Sequence, residues 1–294
     1  MNARAAIVAR CAVCGERRRF TPVLECLHQC ESCRFVTWLS GTMPAAEELY
    51  AAGYFSGGEY PDYLGAEDEL RRSMRRHLEQ MARVRPHGGA LFEIGCAYGF
   101  FLDEARRMYA RVAGADVSPE PIAWAARHLG LDVRPGDVRA MRFDEPFDVI
   151  CCWDTIEHVP EPDTLVAAAA RMLKPGGVFF ATTGDIESSN ARRRGARWRQ
   201  IHPPTHVNYF SPRTLGTMLG RFGFRVVSSG TASYYHTANS VLSTLALRGG
   251  AAGRLSAAAV AVLPGALLRR LGGWIDLGDT MFLAARLDTP QVMP

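Results

Sequence analysis

Hydrophobic positions along this chain switch period in a regular way between residues 89 and 183. Leu91, Phe92 and Ile94 form a short apolar run, which turns through Gly95 and Gly99 into a stripe of Phe101, Ala105, Met108 and Tyr109 at helical spacing. Val112 to Ala115 reads as a second strand, closed by Asp116. Ile122, Ala125, Ala126 and Leu129 then mark a second helix, with Ser118 as its cap, Pro121 in its first turn and Gly130 as its stop. Leu131 to Val133 is a third strand. Phe147 to Cys152 is continuously apolar, the pattern of a central parallel strand buried on both faces. A helix face of Leu165, Ala168, Ala169, Met172 and Leu173 follows, then a turn at Lys174-Pro175-Gly176-Gly177 and a further apolar strand. Strands alternating with helices imply right-handed βαβ units and a parallel sheet, an α/β fold.

The flanks read differently. Glu67 to Arg85 has Leu70, Met74, Leu78 and Met81 on one helical face, with Arg71, Arg72, Arg75 and Arg76 expected on its wet face. After Thr183 comes a long polar loop. Ser211 then caps a helix with Pro212 at its first position and Leu215, Met218, Leu219 and Phe222 as its stripe. Gly223 stops it, Phe224 opens a sixth strand, and Thr280 to Leu287 reads as the last. Between these two strands, Ala238 to Leu277 is rich in Ala, Leu and Gly and is expected to be a helical insertion.

Composition narrows the class. The chain has 294 residues, with 48% hydrophobic and 22% charged, enough for one large α/β domain and a small module. A net charge of +4 is too mild to demand nucleic acid and leaves room for an anionic substrate. The first residues hold no signal-like apolar core, and the tract from Ala257 to Leu268 is too short to span a bilayer. A cytoplasmic protein is expected, with reduced cysteines serving as metal ligands or core residues.

The cysteines are paired in a metal-ligand pattern. Cys11 and Cys14, then Cys30 and Cys33, form C-x2-C-x15-C-x2-C. Each C-x2-C aims two thiolates at one point, so the expectation is a structural zinc ribbon over residues 1–42, with Cys26 and His28 as substitute ligands. Four thiolates leave no open coordination position, and so short a module needs metal in place of a core. Arg17, Arg18 and Arg19 behind the first pair read as a solvated basic face.

The glycine turn narrows the ligand. A dinucleotide fingerprint wants G-x-G-x-x-G, but Ala97 and Phe100 occupy its later glycine positions. The spacing present is E-x-G-x-x-x-G, from Glu93 through Gly95 to Gly99. With Cys96 and Ala97 inside it, this resembles the first motif of class I S-adenosylmethionine (SAM)-dependent methyltransferases. Ala97 stands where that family usually has a central glycine, which implies a residue without positive φ. Asp116, 23 positions after Glu93, is placed to accept both ribose hydroxyls, beside Val117. The resemblance further implies that Asp137 meets the adenine amino group, with Val138 and Arg139 bordering the ring.

The run WDTIEHVPEP after the central strand resembles ubiquinone-biosynthesis O-methyltransferases. It would set Trp153, Asp154, Glu157 and His158 at the carboxyl edge of the sheet, where open α/β folds bind ligands. The KPGG turn and HPPTHVNYFSPRTL resemble the same group. The implied fold is a Rossmann-like, seven-stranded, mainly parallel sheet with helices on both faces, over residues 88–294, ending in an antiparallel pair. The chain lacks the N/D-P-P-Y/F run of amino-directed DNA and protein enzymes. Methyl transfer to a small molecule is expected, most simply O-methylation, with C- or N-methylation, an RNA methyltransferase and a non-catalytic SAM-binding scaffold as alternatives. The family places a lid before the core, and residues 43–87, with Tyr50, Tyr54, Phe55, Tyr60 and Tyr63, read as one.

On the acceptor side, Arg192, Arg193, Arg194, Arg197 and Arg199 read equally as holders of a substrate anion or as a solvated run. His158 and His206 are the expected general bases, with His202 a third candidate. Pocket cover is the preferred role of the 238–277 insertion, ahead of a dimer face or peripheral membrane contact.

Overall fold

The computed structural model describes residues 6–42, 44, 62–247 and 250–288. The first of these form an antiparallel meander of β1 (Ile7–Arg10), β2 (Arg17–Val23), β3 (Leu27–Cys30) and β4 (Val36–Trp38). Its first and third turns carry the cysteine pairs. Gly15 (φ 82°) closes the first, its N–H donating to the Cys11 carbonyl at 2.8 Å.

The chain then runs through α1 (Glu67–Ala82), β5 (Ala90–Ile94), α2 (Phe100–Ala105), β6 (Arg111–Asp116), α3 (Pro119–Leu129), β7 (Asp132–Pro135), β8 (Phe147–Trp153), α4 (Pro162–Met172) and β9 (Leu173–Gly184). α5 (Ser189–Arg194), β10 (Asn208–Tyr209), α6 (Pro212–Gly220) and β11 (Phe224–Thr231) follow. The last part comprises β12 (Tyr234–Thr237), α7 (Ala238–Leu247), α8 (Gly250–Val262), α9 (Gly265–Arg270), β13 (Gly272–Ile275) and β14 (Thr280–Leu287). The central sheet has seven strands in the order β11-β14-β9-β8-β5-β6-β7. Strands β5 to β9 form the parallel part, and β14 slots antiparallel between β9 and β11. All five residues of β5 are buried, as are six of the seven in β8, because helices cover both faces. The expected seven-stranded, mainly parallel α/β sheet is the one observed.

Five local expectations are corrected. Ala97 does adopt positive φ (43°), between Gly95 (77°) and Gly99 (75°), and its N–H is held by the Asp116 carboxylate at 2.9 Å. The turn therefore needs left-handed backbone there although no glycine is present, at a cost of roughly 1–2 kcal/mol. Ser118 occupies the N-cap position of α3 but makes no side-chain cap bond; its N–H instead donates to Asp116 Oδ1 at 2.8 Å. Arg71 is not on a wet face: it bonds Asp103 at 2.6 Å and Glu104 at 3.1 Å on α2 and lies over the Phe100 ring. The Lys174–Gly177 turn is drawn into β9, where Leu173 pairs with Phe147 before a register shift. The insertion is also less uniformly helical than expected, since β12 and β13 pair at its base.

The cysteine meander is spliced into the larger body. β10, from the loop before α6, adds to β4 as a fifth strand, and Thr37 Oγ1 donates to the Val207 carbonyl at 2.9 Å. Val13, Phe20 and Phe35 join one apolar core with Phe210, Leu215 and Met218. Asp163, in the first turn of α4 and 1% exposed, receives Arg10 and lies 3.7 Å from Arg221, which also donates to the carbonyls of Ala12 and Val13. Asp163→Ala is expected to lower the unfolding free energy by about 2 kcal/mol, seen as a lower urea midpoint at unchanged slope. An unchanged midpoint would show that docking rests on apolar contact alone.

Candidate functional site

Two cavities open at the carboxyl edge of the sheet. The first is built by the turn after β5. A Cβ at Gly95 would stand 2.4 Å from Thr155 Oγ1, so this close approach requires glycine. Gly95, Ala97, Asp116 and Val117 form one wall; Asp137, Val138 and Trp153 form the other. The Asp116 carboxylate is fixed by the N–H groups of Ala97 and Ser118, while burial pushes its acid form up. Asp137 is less free than expected. Burial raises it, but bonds from the Arg139 guanidinium and N–H outweigh that and hold it below the usual range. The Trp153 indole N–H is buried without a partner.

Three expected residues do not line this cavity. Glu93 sits within β5, paired in register with Gly114 and Cys151, and burial first, then the Asp116 charge, drives its acid well up. Cys96 packs on Leu102 and Gly114, and Gly99 is the N-cap of α2. From the expected lid, Tyr50, Tyr54, Phe55 and Tyr60 lie outside the described residues. Tyr63 stacks on Tyr98 and Phe100 and borders the cavity.

The second cavity, about 460 Å³, shares Asp154 and His158 with the first. Asp154 has positive φ (43°) and accepts the Tyr234 hydroxyl at 2.7 Å. Burial raises the acids of both Asp154 and Glu157, the latter to about 8 with further help from the Asp154 charge. Burial draws His158 down to about 4 and His206 lower still. The rings of His158 and His206 stand 4.5 Å apart and perpendicular, and His202 is 3.9 Å from His206. Both candidate bases are thus brought together, 48 positions apart in sequence, as neutral imidazoles. Of the five loop arginines only Arg199 borders the cavity, and it is paired with Asp279 at 2.8 Å. Ser240, Val241, Thr244 and Leu245 of α7 supply the far wall, so the insertion covers this cavity.

Sequence reading missed Tyr234, His236, Gln200 and Asp279, which border the same space. Asp279 had no signal: its buried carboxylate collects Asn190 from α5 and Trp198 and Arg199 from the loop after it.

In the meander, the sulfurs of Cys11 and Cys33 are 3.6 Å apart and those of Cys14 and Cys30 are 3.9 Å apart, with no disulfide. All four ligand atoms lie within 4.8 Å of one another. A tetrahedral zinc with bonds of about 2.3 Å sets sulfurs roughly 3.8 Å apart, so the set fits that ion. Cys26 and His28 stand outside the cluster.

A parallel sheet with an antiparallel end strand, a glycine turn after β5 and an acidic end to β6 define a class I, Rossmann-like methyltransferase fold. The chain belongs to the family described as Methyltransferase domain, whose sequence model matches residues 66–229. It is 32% identical over 109 residues to the ubiquinone biosynthesis O-methyltransferase of Xanthomonas axonopodis pv. citri (strain 306), covering 35% of this chain and 46% of that protein. Identity to the enzyme of the same name from Pseudomonas entomophila (strain L48) is 36% over 108 residues, covering 34% and 47%. The chain thus spans about half the length of the curated relatives it matches. Among solved structures, it resembles a SAM-dependent methyltransferase from Thermotoga maritima with TM-score 0.52 at 17% identity, over 82% of this chain and 100% of that one. No helix among the described residues is long and apolar enough to cross a membrane.

Behind the wall between the cavities, His77 is fully buried against Trp153, Tyr234 and Phe282, and burial lowers it to about 4. It folds neutral but protonates near 6.5 when unfolded. Stability is therefore lost at about 1.4 kcal/mol per pH unit as pH falls from 6.5 toward 4. His77→Leu removes this loss, so between pH 7 and pH 5 it should gain on the wild type by roughly 2 kcal/mol in chemical unfolding. Parallel pH profiles would refute the assignment.

Proposed function

We propose that the chain is a SAM-dependent methyltransferase acting on a small molecule, by O-methylation of a hydroxyl. The observation that carries this is the meeting of a donor cavity and an acceptor cavity at Asp154 and His158. SAM supplies a methyl group already activated on sulfonium. Asp116, held by two backbone N–H groups, would accept the ribose hydroxyls. Asp137, Val138 and Arg139 would border adenine, and Gly95 to Ala97 would let the ligand approach the backbone. Glu93 supports this turn from within the sheet. The chain's main task is to align the acceptor atom with the methyl group and to exclude water. His158 and His206 converge where the acceptor's proton must leave. The relatives named for ubiquinone O-methylation favour a hydroxyl acceptor, and Arg199 at the rim favours one bearing an anionic group.

Cys11, Cys14, Cys30 and Cys33 hold zinc in this reading. The ion's role is structural, since its four thiolates leave no open position. It would also set the position of β4, and through β10 the acceptor loop.

Calorimetry should show SAM binding by the folded protein, weakened at least about tenfold in Asp116→Ala, which is about 1.4 kcal/mol. Labelled SAM should then pass its methyl group to a hydroxylated acceptor in a substrate screen. Folded protein without SAM affinity would sink the proposal. Metal analysis is expected to give one zinc per chain, lost in Cys30→Ser together with thermal stability. Retention of zinc in that variant would remove the cysteine assignment.

A further inference from the structure

We infer that the outer face of the insertion, formed by α8, α9 and β13, is the contact surface of a two-fold dimer of this chain. The surface stands on its own geometry; that it closes an acceptor cavity rests on the function proposed above.

Apolar side chains here face the wrong way for a monomer. Among the described residues thirteen large hydrophobic side chains are exposed, and eight of them lie between Leu255 and Leu277. α8 turns its small residues inward. Ser256 is buried, and a Cβ at the buried Gly253 would stand 3.1 Å from the Leu245 carbonyl oxygen of α7. Its large residues point outward, Leu255 at 73% and Val262 at 81% exposed, with the exposed Ala258 between them on the same face. A surface helix of a monomer does the reverse and lays its large apolar stripe on the core. The face is continuous: α8 and α9 both pack on α7, α9 touches β12, and β12 pairs with β13. Every residue from Leu271 to Gly278 is exposed, Trp274 and Leu277 included. Between residues 250 and 277 only Arg254, Arg269, Arg270 and Asp276 are charged, a depletion expected at an interface core.

The area matches a dimer. At ordinary residue areas the eight side chains expose on the order of 800 Å², above the roughly 300–600 Å² of the largest apolar patch on a typical monomer and close to what each partner buries in a standard interface. Two features select a second copy over a lipid surface. A helix resting in a lipid interface needs a strongly charged opposite face, whereas the other face of α8 is packed on α7. β13 also has an outer edge with which no strand pairs among the described residues. Backbone groups on such an edge need hydrogen-bond partners, which hydrocarbon lacks and a second β13 supplies. Copies related by a two-fold axis meet through the same patch, so β13 would pair antiparallel with its counterpart. A two-stranded sheet, weak alone, would then have four strands. Ile275 and Leu277 border the second cavity as well, so its mouth lies at this face and the partner would complete its outer wall.

The test is sedimentation velocity of the full chain from about 1 to about 100 μM, with SAM calorimetry on the same samples. The 32.3 kDa chain should sediment as a dimer in the upper part of this range. Leu255→Glu and Val262→Glu, both at exposed positions outside the two cavities, should each weaken dimerisation by about tenfold or more at unchanged SAM affinity. A monomer throughout the range, or a dimer as stable in both variants as in the wild type, would overturn the surface. So would uptake onto phosphatidylcholine vesicles by a chain that stays monomeric. Should the variants fail to fold, amide exchange of the wild type decides: protection of Gly273 to Ile275 that rises with concentration supports the surface, and equal exchange at both ends of the range overturns it. SAM affinity without dimerisation removes this surface alone, whereas dimerisation without SAM affinity removes the methyltransferase reading and leaves the surface.

Discussion

The Glu157 carbonyl, taking the N–H groups of Val207 and Asn208 at 3.0 Å each, is the contact on which the acceptor side depends. It joins the loop after β8 to the short strand β10. β10 in turn pairs with β4 of the cysteine meander, where Trp38 N–H and Thr37 Oγ1 both reach the Val207 carbonyl. A line of backbone hydrogen bonds thus runs from the four sulfurs to His206. Backbone bonds in a buried setting are costly to leave unmade, so a shift of the meander would carry the histidines with it.

The edge of the sheet is also an electrostatic construction. Glu93 and Glu157 are buried and Asp116 and Asp154 half-buried, and in each case burial is the first cause raising the acid form. Such a concentration of carboxyl groups destabilises the protein without a ligand, and a cationic partner would relieve it. In the proposed reading the SAM sulfonium in the first cavity is such a partner. The strained backbone lies at the same edge, with positive φ at both Ala97 and Asp154.

Much of this was legible in the sequence because the relevant forces are local. The alternation of periods between residues 89 and 183 determined the parallel sheet, since a strand buried on both faces must be apolar throughout and a covering helix only on one stripe. The C-x2-C spacing placed two thiolates in each turn, and the acid at the end of β6 fell beside the glycine turn through strand pairing alone. Gly95 and Asp116 border the expected cavity for that reason. The reading of Ala97 failed because residue type reports conformational preference, whereas here the Asp116 hydrogen bond offsets the strain.

Contacts between segments far apart in the chain were decided only by tertiary structure. Tyr234 bonds Asp154 across 80 positions, Asp279 gathers the 190–199 loop, and Arg71 leaves its helix face for Asp103 and Glu104. None of these has a periodic signature, because a polar side chain finds its partner through the packing of whole elements. The sequence by itself determined the fold class, the cysteine cluster and the donor-side turn, all set by spacing within one or two elements. The convergence of Glu157, His158 and His206, and the coupling of the cysteine meander to them, came from the tertiary structure, which alone brings residues 36–38, 157–158 and 206–208 into hydrogen-bonding register.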